Sequence, residues 1–397
     1  MLPYMPPGND IEFVLYDLFD AETEWAQIPA FDSFDRDTVR AVVTECGKLA
    51  RDVMAPLSQS SDEEGAHWSD GVVTAPEGFK DAYAALAAGG WLGVSGNPEF
   101  GGQGLPKMLT ASLEEMFWGA NTNLWLYATL TVGAAICVDA HADEDTRRLY
   151  LPKFYSGEWT GAMALTEAHA GTDLGLIRTR ATPRSDGRYG ITGTKIFITS
   201  GEHDLAKNIV HLVLAKVPDA PAGSRGISLF LVPKYIPGDD GSLGERNGFE
   251  SASIEHKMGI KGSATSVINY GDAIGYLIGE PNQGLACMFT MMNYERLSVG
   301  IQGLGLAERA YQASSSYAKE RVQGRAPEGS RVANTDADAI VGHPDVRRML
   351  LTQRAYNEGG RAFSMYVGLQ LDRAKYSPIE AVREKASGFV DLLTPVA

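Results

Sequence analysis

The spacing of apolar residues changes rhythm twice along the chain. Over 34–157 it is helical: Val39, Val42, Val43, Leu49 and Val53 come close to the 3.6-residue repeat of one buried helix face. The stretches 82–92 and 109–140, rich in Ala, Leu and Met, extend that pattern, with loops marked by Gly and Pro between them. One loop, Gly96-Asn-Pro-Glu-Phe-Gly101-Gly-Gln-Gly-Leu-Pro106, holds so many turn residues that it predicts a tight surface excursion where backbone approaches a ligand. Over 158–279 the rhythm shortens to that of strands. Residues 189–198 alternate, 209–216 and 226–232 are β-rich, and Ser-Asp-Gly and Pro-Gly-Asp-Asp-Gly clusters punctuate them. This predicts a small antiparallel barrel or sandwich.

Beyond Gly284 the helical spacing returns. It predicts one long amphipathic helix over 285–326, a second over 344–371, and a polar, charged loop over 327–342. Ser377 and Pro378 supply an N-cap and a first-turn proline for a third helix over 379–397. With no cap or glycine stop for that helix, the natural protein is expected to continue. The fold expected is mainly α with a central β domain. It divides into an N-terminal extension (1–33), a helical domain (34–157), a β domain (158–279) and an incomplete helical bundle (280–397) whose last helices are truncated.

Composition narrows the function. Apolar residues are 44% and charged residues 21%, the proportions of a globular chain. Lys and Arg total 35 against 50 Asp and Glu, a net charge of −15, and no basic run interrupts it. A sequence-independent grip on nucleic acid needs clustered cations to replace phosphate counterions, so that class is excluded, and anionic membrane surfaces are disfavoured for the same reason. Cys46, Cys137 and Cys287 are far apart and lack metal-ligand spacing, which excludes a structural zinc and fits a reducing compartment. The first ten residues lack the basic and apolar regions of a signal peptide, and no run of about 18 apolar residues is apparent, so a cytoplasmic protein without a membrane span is expected.

Four segments carry candidate chemistry. The first, Met163-Ala-Leu-Thr166-Glu-Ala-His-Ala-Gly171-Thr-Asp173, reads as a strand running into a loop of small residues. Its hydroxyls and free amides suit an anionic or hydrogen-bonding ligand, or simply a capped turn. The second is Lys195-Ile-Phe-Ile-Thr199-Ser-Gly201, where a period of two puts Lys195, Phe197 and Thr199 on one face. An aromatic plate beside a hydroxyl suits a planar ring, and equally an ordinary half-buried strand. The third, Lys257-Met-Gly-Ile-Lys-Gly262-Ser-Ala-Thr265, is a glycine-rich turn between strands. The fourth, Met291-Met-Asn293-Tyr-Glu295-Arg296-Leu, lies early in the long helix. The histidines read as structural, His169 in the first loop included.

In this order and spacing the four segments resemble the acyl-CoA dehydrogenase family. The first is similar to its Thr-Glu-Pro-x-Ala-Gly-Ser-Asp loop, with Ala168 for Pro and Thr172 for Ser. The second is similar to its Lys-x-Trp-Ile-Thr-Asn-Gly strand, with Phe197 for Trp and Ser200 for Asn. The third resembles its Lys-x-Gly-x-Arg-Gly-Ser loop and the fourth the Arg-containing helix of its C-terminal bundle. Residues 10–38 resemble the N-terminal extension of the family's longer members, which carry an additional C-terminal domain.

The resemblance implies FAD as cofactor and α,β-dehydrogenation of an acyl-CoA to a trans-2-enoyl-CoA, with electrons passed to an electron-transfer flavoprotein. It implies that Met163, Leu165, Thr166, Gly171 and Thr172 contact FAD, that Phe197 and Ile198 flank the ring and that Thr199 sits near N5. Thr172, Asn293 and Arg296 match CoA-binding positions. Arg321 and Gln323 match residues that reach the FAD of a neighbouring subunit, which implies a homodimer or homotetramer. The base of most members lies in a Tyr-Glu-Gly-Thr segment that these 397 residues do not contain. Glu295 matches the position where some members place their base instead, and a carboxylate beside Arg296 reads equally as an ion pair. The same resemblance leaves open an acyl-CoA oxidase, or a flavin- and acyl-CoA-binding fragment without turnover. A short or sulfur-containing acyl group is suggested by the longer members alone.

Overall fold

The structure is a computed structural model that describes residues 3–327 and 336–396. Residues 328–335, half of the loop expected over 327–342, therefore lie outside the described residues. The principal helices are α1 (Arg36–Leu49), α2 (Phe79–Ala88), α3 (Lys107–Ala120), α4 (Thr122–His141), α5 (Glu144–Tyr155), α6 (Gly284–Glu320), α7 (Pro344–Tyr376) and α8 (Glu380–Leu393). Between α5 and α6 run β1 (Trp159–Ala164), β2 (Arg180–Pro183), β3 (Tyr189–Thr199), β4 (Asn208–Lys216), β5 (Ile227–Pro233), β6 (Phe249–Ile254) and β7 (Thr265–Ile278). The chain forms two compact units. One comprises Met1–Pro56, Pro106–Asn121 and Leu297–Ala397, and the other Leu57–Leu105 and Thr122–Arg296.

The first unit is helical. Asp35 caps α1 by accepting from Thr38 N at 2.7 Å, and Val39, Val43 and Cys46 form its buried face. Helix α3 is buried on every side from Met108 to Ala120, so its burial follows no stripe, and Glu114 and Glu115 are buried with the apolar residues in ion pairs with Lys107 and Arg361. A Cβ on Gly305 of α6 would fall 2.7 Å from the Gly119 amide of α3, so only glycine allows that approach. Asp372 of α7 accepts from the amides of Lys107 and Met108 at 2.7 and 2.9 Å and so caps α3. Helix α8 starts later and stops earlier than the sequence predicts. Its N-cap is Ile379, with Ser377 and Pro378 before it, and it ends at Leu393, where the Thr394 hydroxyl donates to the Val390 carbonyl at 2.7 Å.

In the second unit strands β7, β3, β2, β4 and β5 pair in turn, and β5 returns to β7, which closes a small barrel; β6 adds to β7 and β1 to β4. The sheet is mixed: β1 and β4 run parallel, as does the single β2–β4 pair Arg180–Lys216, where an antiparallel barrel was expected. Strand β4 explains its unbroken apolar run by burying both faces. Val213 and Ala215 fill the barrel, whereas Val210, Leu212 and Leu214 pack under α4 and α5.

Helix α4 corrects a sequence expectation. Its 20 residues are long and apolar enough to cross a membrane by length and composition, yet 72% of that window is buried inside the protein. It is a core helix, seated on β1 so closely that a Cβ on Gly161 would lie 2.3 Å from the Ala134 side chain.

Candidate functional site

The loop after β1 is built from its own backbone. Glu167 and Ala170 exchange both N–H···O bonds at 2.9 Å, which leaves Ala168 and His169 at an exposed tip. Glu167 itself is buried and its carboxylate accepts from Arg178 N (2.7 Å), Thr179 N (3.0 Å), Thr179 Oγ1 (2.6 Å) and Lys195 Nζ (3.0 Å). Burial opposes its ionisation, but the Lys195 ammonium and these donors outweigh burial and hold the carboxyl down at about 2. Lys195 lies on β3 with its side chain fully buried. Burial draws its amine down to about 8 while Glu167 pulls it back up.

Beside this loop β3 departs from period two. Lys195 pairs with Ile268 and Ile198 with Ser266, so Ile196 and Phe197 together face the single residue Val267, which is a β-bulge. Ile196 N turns out of the ladder and donates to Thr166 O at 2.9 Å. Phe197 takes φ of +59° and projects its ring outward at 58% exposure. The face expected to carry Lys195, Phe197 and Thr199 together is therefore split: Lys195 points inward, Phe197 outward, and Thr199 is half-buried opposite Thr265. Ile198 packs in the barrel core, so its backbone is the part beside the bulge. A bulky residue in the left-handed region is costly, about 1–2 kcal/mol, and an outlier of this kind marks a position that the fold over-determines.

The third segment supports the end of β3. Gly262 N donates to Asn123 Oδ1 of α4 at 2.9 Å, and a Cβ there would sit 2.8 Å from the Ser61 carbonyl. The Tyr127 hydroxyl donates to Gly262 O at 3.2 Å and accepts from Ala264 N at 2.8 Å, and Ala264 O accepts from Ser200 N at 2.9 Å. Lys257 donates to Ser263 O and Thr265 Oγ1, with its amine lowered to about 8 by burial.

Met163, Leu165 and Thr166 are half-buried, and Gly171 and Thr172 exposed. Glu295 is buried early on α6. A Cβ on Gly133 of α4 would lie 2.5 Å from its Oε1, so the carboxylate occupies space that this glycine leaves open. Asn293 and Arg296 are exposed on α6 and joined at 2.9 Å, with Arg296 5.5 Å from the Phe289 ring centre. Arg321 and Gln323 lie just past α6 in the first unit, exposed and linked at 3.2 Å. His169 bonds the Leu176 carbonyl at 3.1 Å. The loop over 96–106 closes on itself through bonds such as Gly102 N to Asn97 O at 3.0 Å and Gly104 N to Gly96 O at 3.0 Å. A cleft of about 820 Å³ lined by Glu202, Lys234, Arg246 and Tyr270 contains none of the predicted site residues.

Sequence reasoning assigned no role to Glu167 or Thr179. The available signal was an acid among small residues in the first segment and a lysine in a β-rich strand in the second, since both become buried and neither is buried without a partner.

In chain order helices precede and follow a small β-barrel, and within the barrel unit an exposed aromatic lies beside a hydroxyl-bearing loop, a build that suits a planar cofactor. Profiles of the acyl-CoA dehydrogenase N-terminal, middle and C-terminal domains match residues 36–158, 162–273 and 282–388. The chain is 44% identical over its full length to the 3-methylmercaptopropionyl-CoA dehydrogenase of Ruegeria pomeroyi, of which it covers 66%. It is 37% identical over 95% of its length to a butyryl-CoA dehydrogenase of Syntrophomonas wolfei, of which it covers 63%. It thus spans less than two thirds of the length of both relatives. The solved butyryl-CoA dehydrogenase of Megasphaera elsdenii shares the fold with a TM-score of 0.71 at 21% identity, covering 92% of this chain and 88% of that one. The chain belongs to the acyl-CoA dehydrogenase family, whose enzymes depend on FAD.

Proposed function

We propose that this chain binds FAD and an acyl-CoA thioester and serves the dehydrogenation that introduces a trans double bond between C2 and C3 of the acyl group. The observation that carries the reading is Phe197, held outward in a strained conformation one residue after Ile196 ties the bulge to Thr166. An aromatic ring exposed at such cost suits a planar ligand, and the half-buried Leu165 and Thr166 beside it suit the ligand's polar edge. The residues present therefore fit FAD: Met163, Leu165, Thr166, Gly171 and Thr172 from the loop, and Phe197, Ile198 backbone and Thr199 from β3. When bound, the flavin supplies the acceptor for the β-hydride.

The chain's own groups do the rest. Thr172, Asn293 and Arg296 hold the CoA portion. Arg296 is exposed and a guanidinium keeps donors to spare for a phosphate after meeting Asn293. Glu295 is the candidate base, because it matches the position where some family members place theirs and is buried early on α6. Residues 158–279 form the flavin-carrying domain, and 34–157 and 280–397 its helical partners. Arg321 and Gln323 reach the FAD of a second copy in a homodimer or homotetramer. An electron-transfer flavoprotein takes the electrons. The 44% identity to the Ruegeria pomeroyi protein supports a short, sulfur-containing acyl group, 3-methylmercaptopropionyl-CoA, ahead of longer fatty acyl-CoA.

Anaerobic mixing of the flavin-loaded chain with 3-methylmercaptopropionyl-CoA tests this. Bleaching of the visible flavin band is expected. A band that shifts without bleaching means binding alone and overturns the dehydrogenation, and a chain that takes up no FAD overturns the whole reading.

A further inference from the structure

We propose that the buried Lys195–Glu167 pair is a positioning device that aims the backbone of Leu165–Glu167 at the flavin. The proposal rests on the flavin reading above and adds to it a role for two side chains that would not touch the cofactor.

The geometry is that of peptide planes. In a trans peptide the C=O and the next N–H point in opposite directions. Lys195 Nζ donates to the Leu165 carbonyl at 2.8 Å, which turns the Thr166 N–H away from Lys195. One residue later the Thr166 carbonyl is taken by Ile196 N at 2.9 Å. Both carbonyls are thus drawn toward β3, and no described residue accepts from Thr166 N–H. An amide of a half-buried residue, with its direction fixed and no acceptor among the described residues, is what a hydrogen bond to a ligand requires.

Glu167 keeps Lys195 in place. Its Oε1 receives Lys195 Nζ, Thr179 N and Thr179 Oγ1, and its Oε2 receives Arg178 N. The carboxylate therefore joins the strand behind the loop to the amides leading into β2, and among the described residues the backbone of 165–167 is otherwise held only by the isolated Glu167–Ala170 bridge and the Ile196 N bond to Thr166 O. Stability alone is a weak reason for this arrangement, because taking both charges out of water offsets most of their attraction, and well-packed apolar replacements of buried pairs commonly fold as well. Aiming a loop supplies a reason.

The test uses the full chain as wild type, Glu167→Gln, Lys195→Met and the milder Thr179→Val, which removes one hydroxyl donor and leaves both charges. Hydrogen exchange is followed in the FAD-free protein, and FAD affinity by titration of flavin fluorescence. Glu167→Gln and Lys195→Met should speed exchange across 164–170 by about ten-fold or more, with β4 unchanged, and weaken FAD by a similar factor. Thr179→Val should move both readouts in the same direction by a smaller factor, and it keeps the test open if the charge variants do not fold. Unchanged loop exchange overturns the proposal, as does exchange that rises equally in β4, which marks a purely structural pair. Failure of wild type to bind FAD overturns the flavin reading instead, while the exchange data still decide whether the pair holds the loop.

Discussion

Each compact unit contains a buried ion pair, and the two pairs are wired differently. In the helical unit Arg361 of α7 makes a forked contact with Glu115 of α3, including 2.6 Å from Nη2, and reaches Glu308 of α6 at 3.3 Å, which also accepts from Asn357. Every partner is a side chain on a helix that has its own hydrogen bonds. In the barrel unit Lys195 and Glu167 spend most of their remaining bonds on backbone, Leu165 O, Arg178 N and Thr179 N, with the Thr179 hydroxyl the side-chain donor beside them. The first pair ties together elements that already exist. The second reinforces a loop that has only one isolated β-bridge of its own, between Glu167 and Ala170, and it does so beside the proposed ligand. A buried charge pair can thus serve assembly in one place and aim in another, and the identity of its partner atoms tells which.

The largest effect expected from breaking this comparison is at Arg361. Arg361→Met leaves Glu115 buried without its cation and should cost about 3–5 kcal/mol, read as a fall in the denaturation midpoint, with FAD affinity of the folded protein unchanged. Next comes Gly133→Ala. The new methyl meets Glu295 Oε1 at 2.5 Å, so it should cost about 1–3 kcal/mol and slow flavin bleaching by displacing the candidate base. Phe197→Gly should run the other way in stability. Glycine tolerates φ of +59°, so about 1 kcal/mol of strain is released and the melting temperature rises while FAD affinity falls.

The smallest effect is a difference in pH slope. Glu167 is held at about 2, below its ordinary value of 4.5, so its contribution is complete above pH 4.5 and disappears as the pH falls toward 2. Asp372 is raised to about 7 by burial, against the amides of Met108 and Lys107, so its contribution is complete below about pH 4 and disappears as the pH rises through 7. Denaturation midpoints measured against pH should lose the acid limb in Glu167→Gln and the slope between pH 4 and 7 in Asp372→Asn.

Much of the architecture was legible because burial periodicity survives folding: β4 reads as a continuous apolar run and α1 as a stripe. The order of helical, β and helical regions followed from those rhythms, and the four motif segments pointed to the family. Phe197 was misplaced for a physical reason. Period two assumes an unbroken ladder, and a bulge adds one residue that flips everything beyond it. The parallel pairing of β1 with β4 was invisible because it depends on the crossover between them, not on either strand's pattern. Helix α4 was underestimated since Thr, Gly and Cys interrupt its aliphatic residues without making it polar enough to face water. Glu167 escaped because one sequence does not say which acid will be buried.

Helix α4 also bears on how the polypeptide is made. As it leaves the ribosome, a 20-residue segment of such hydropathy is liable to stick to other nascent proteins or to be taken for a membrane anchor. Two of its covering elements, α5 and β1, are translated immediately afterwards, finishing at Ala164, whereas β4, the Gly262 turn and the start of α6 follow up to about 130 residues later. Part of the shield thus comes next in line, and the remainder of the oily helix waits for the barrel and α6 to be made.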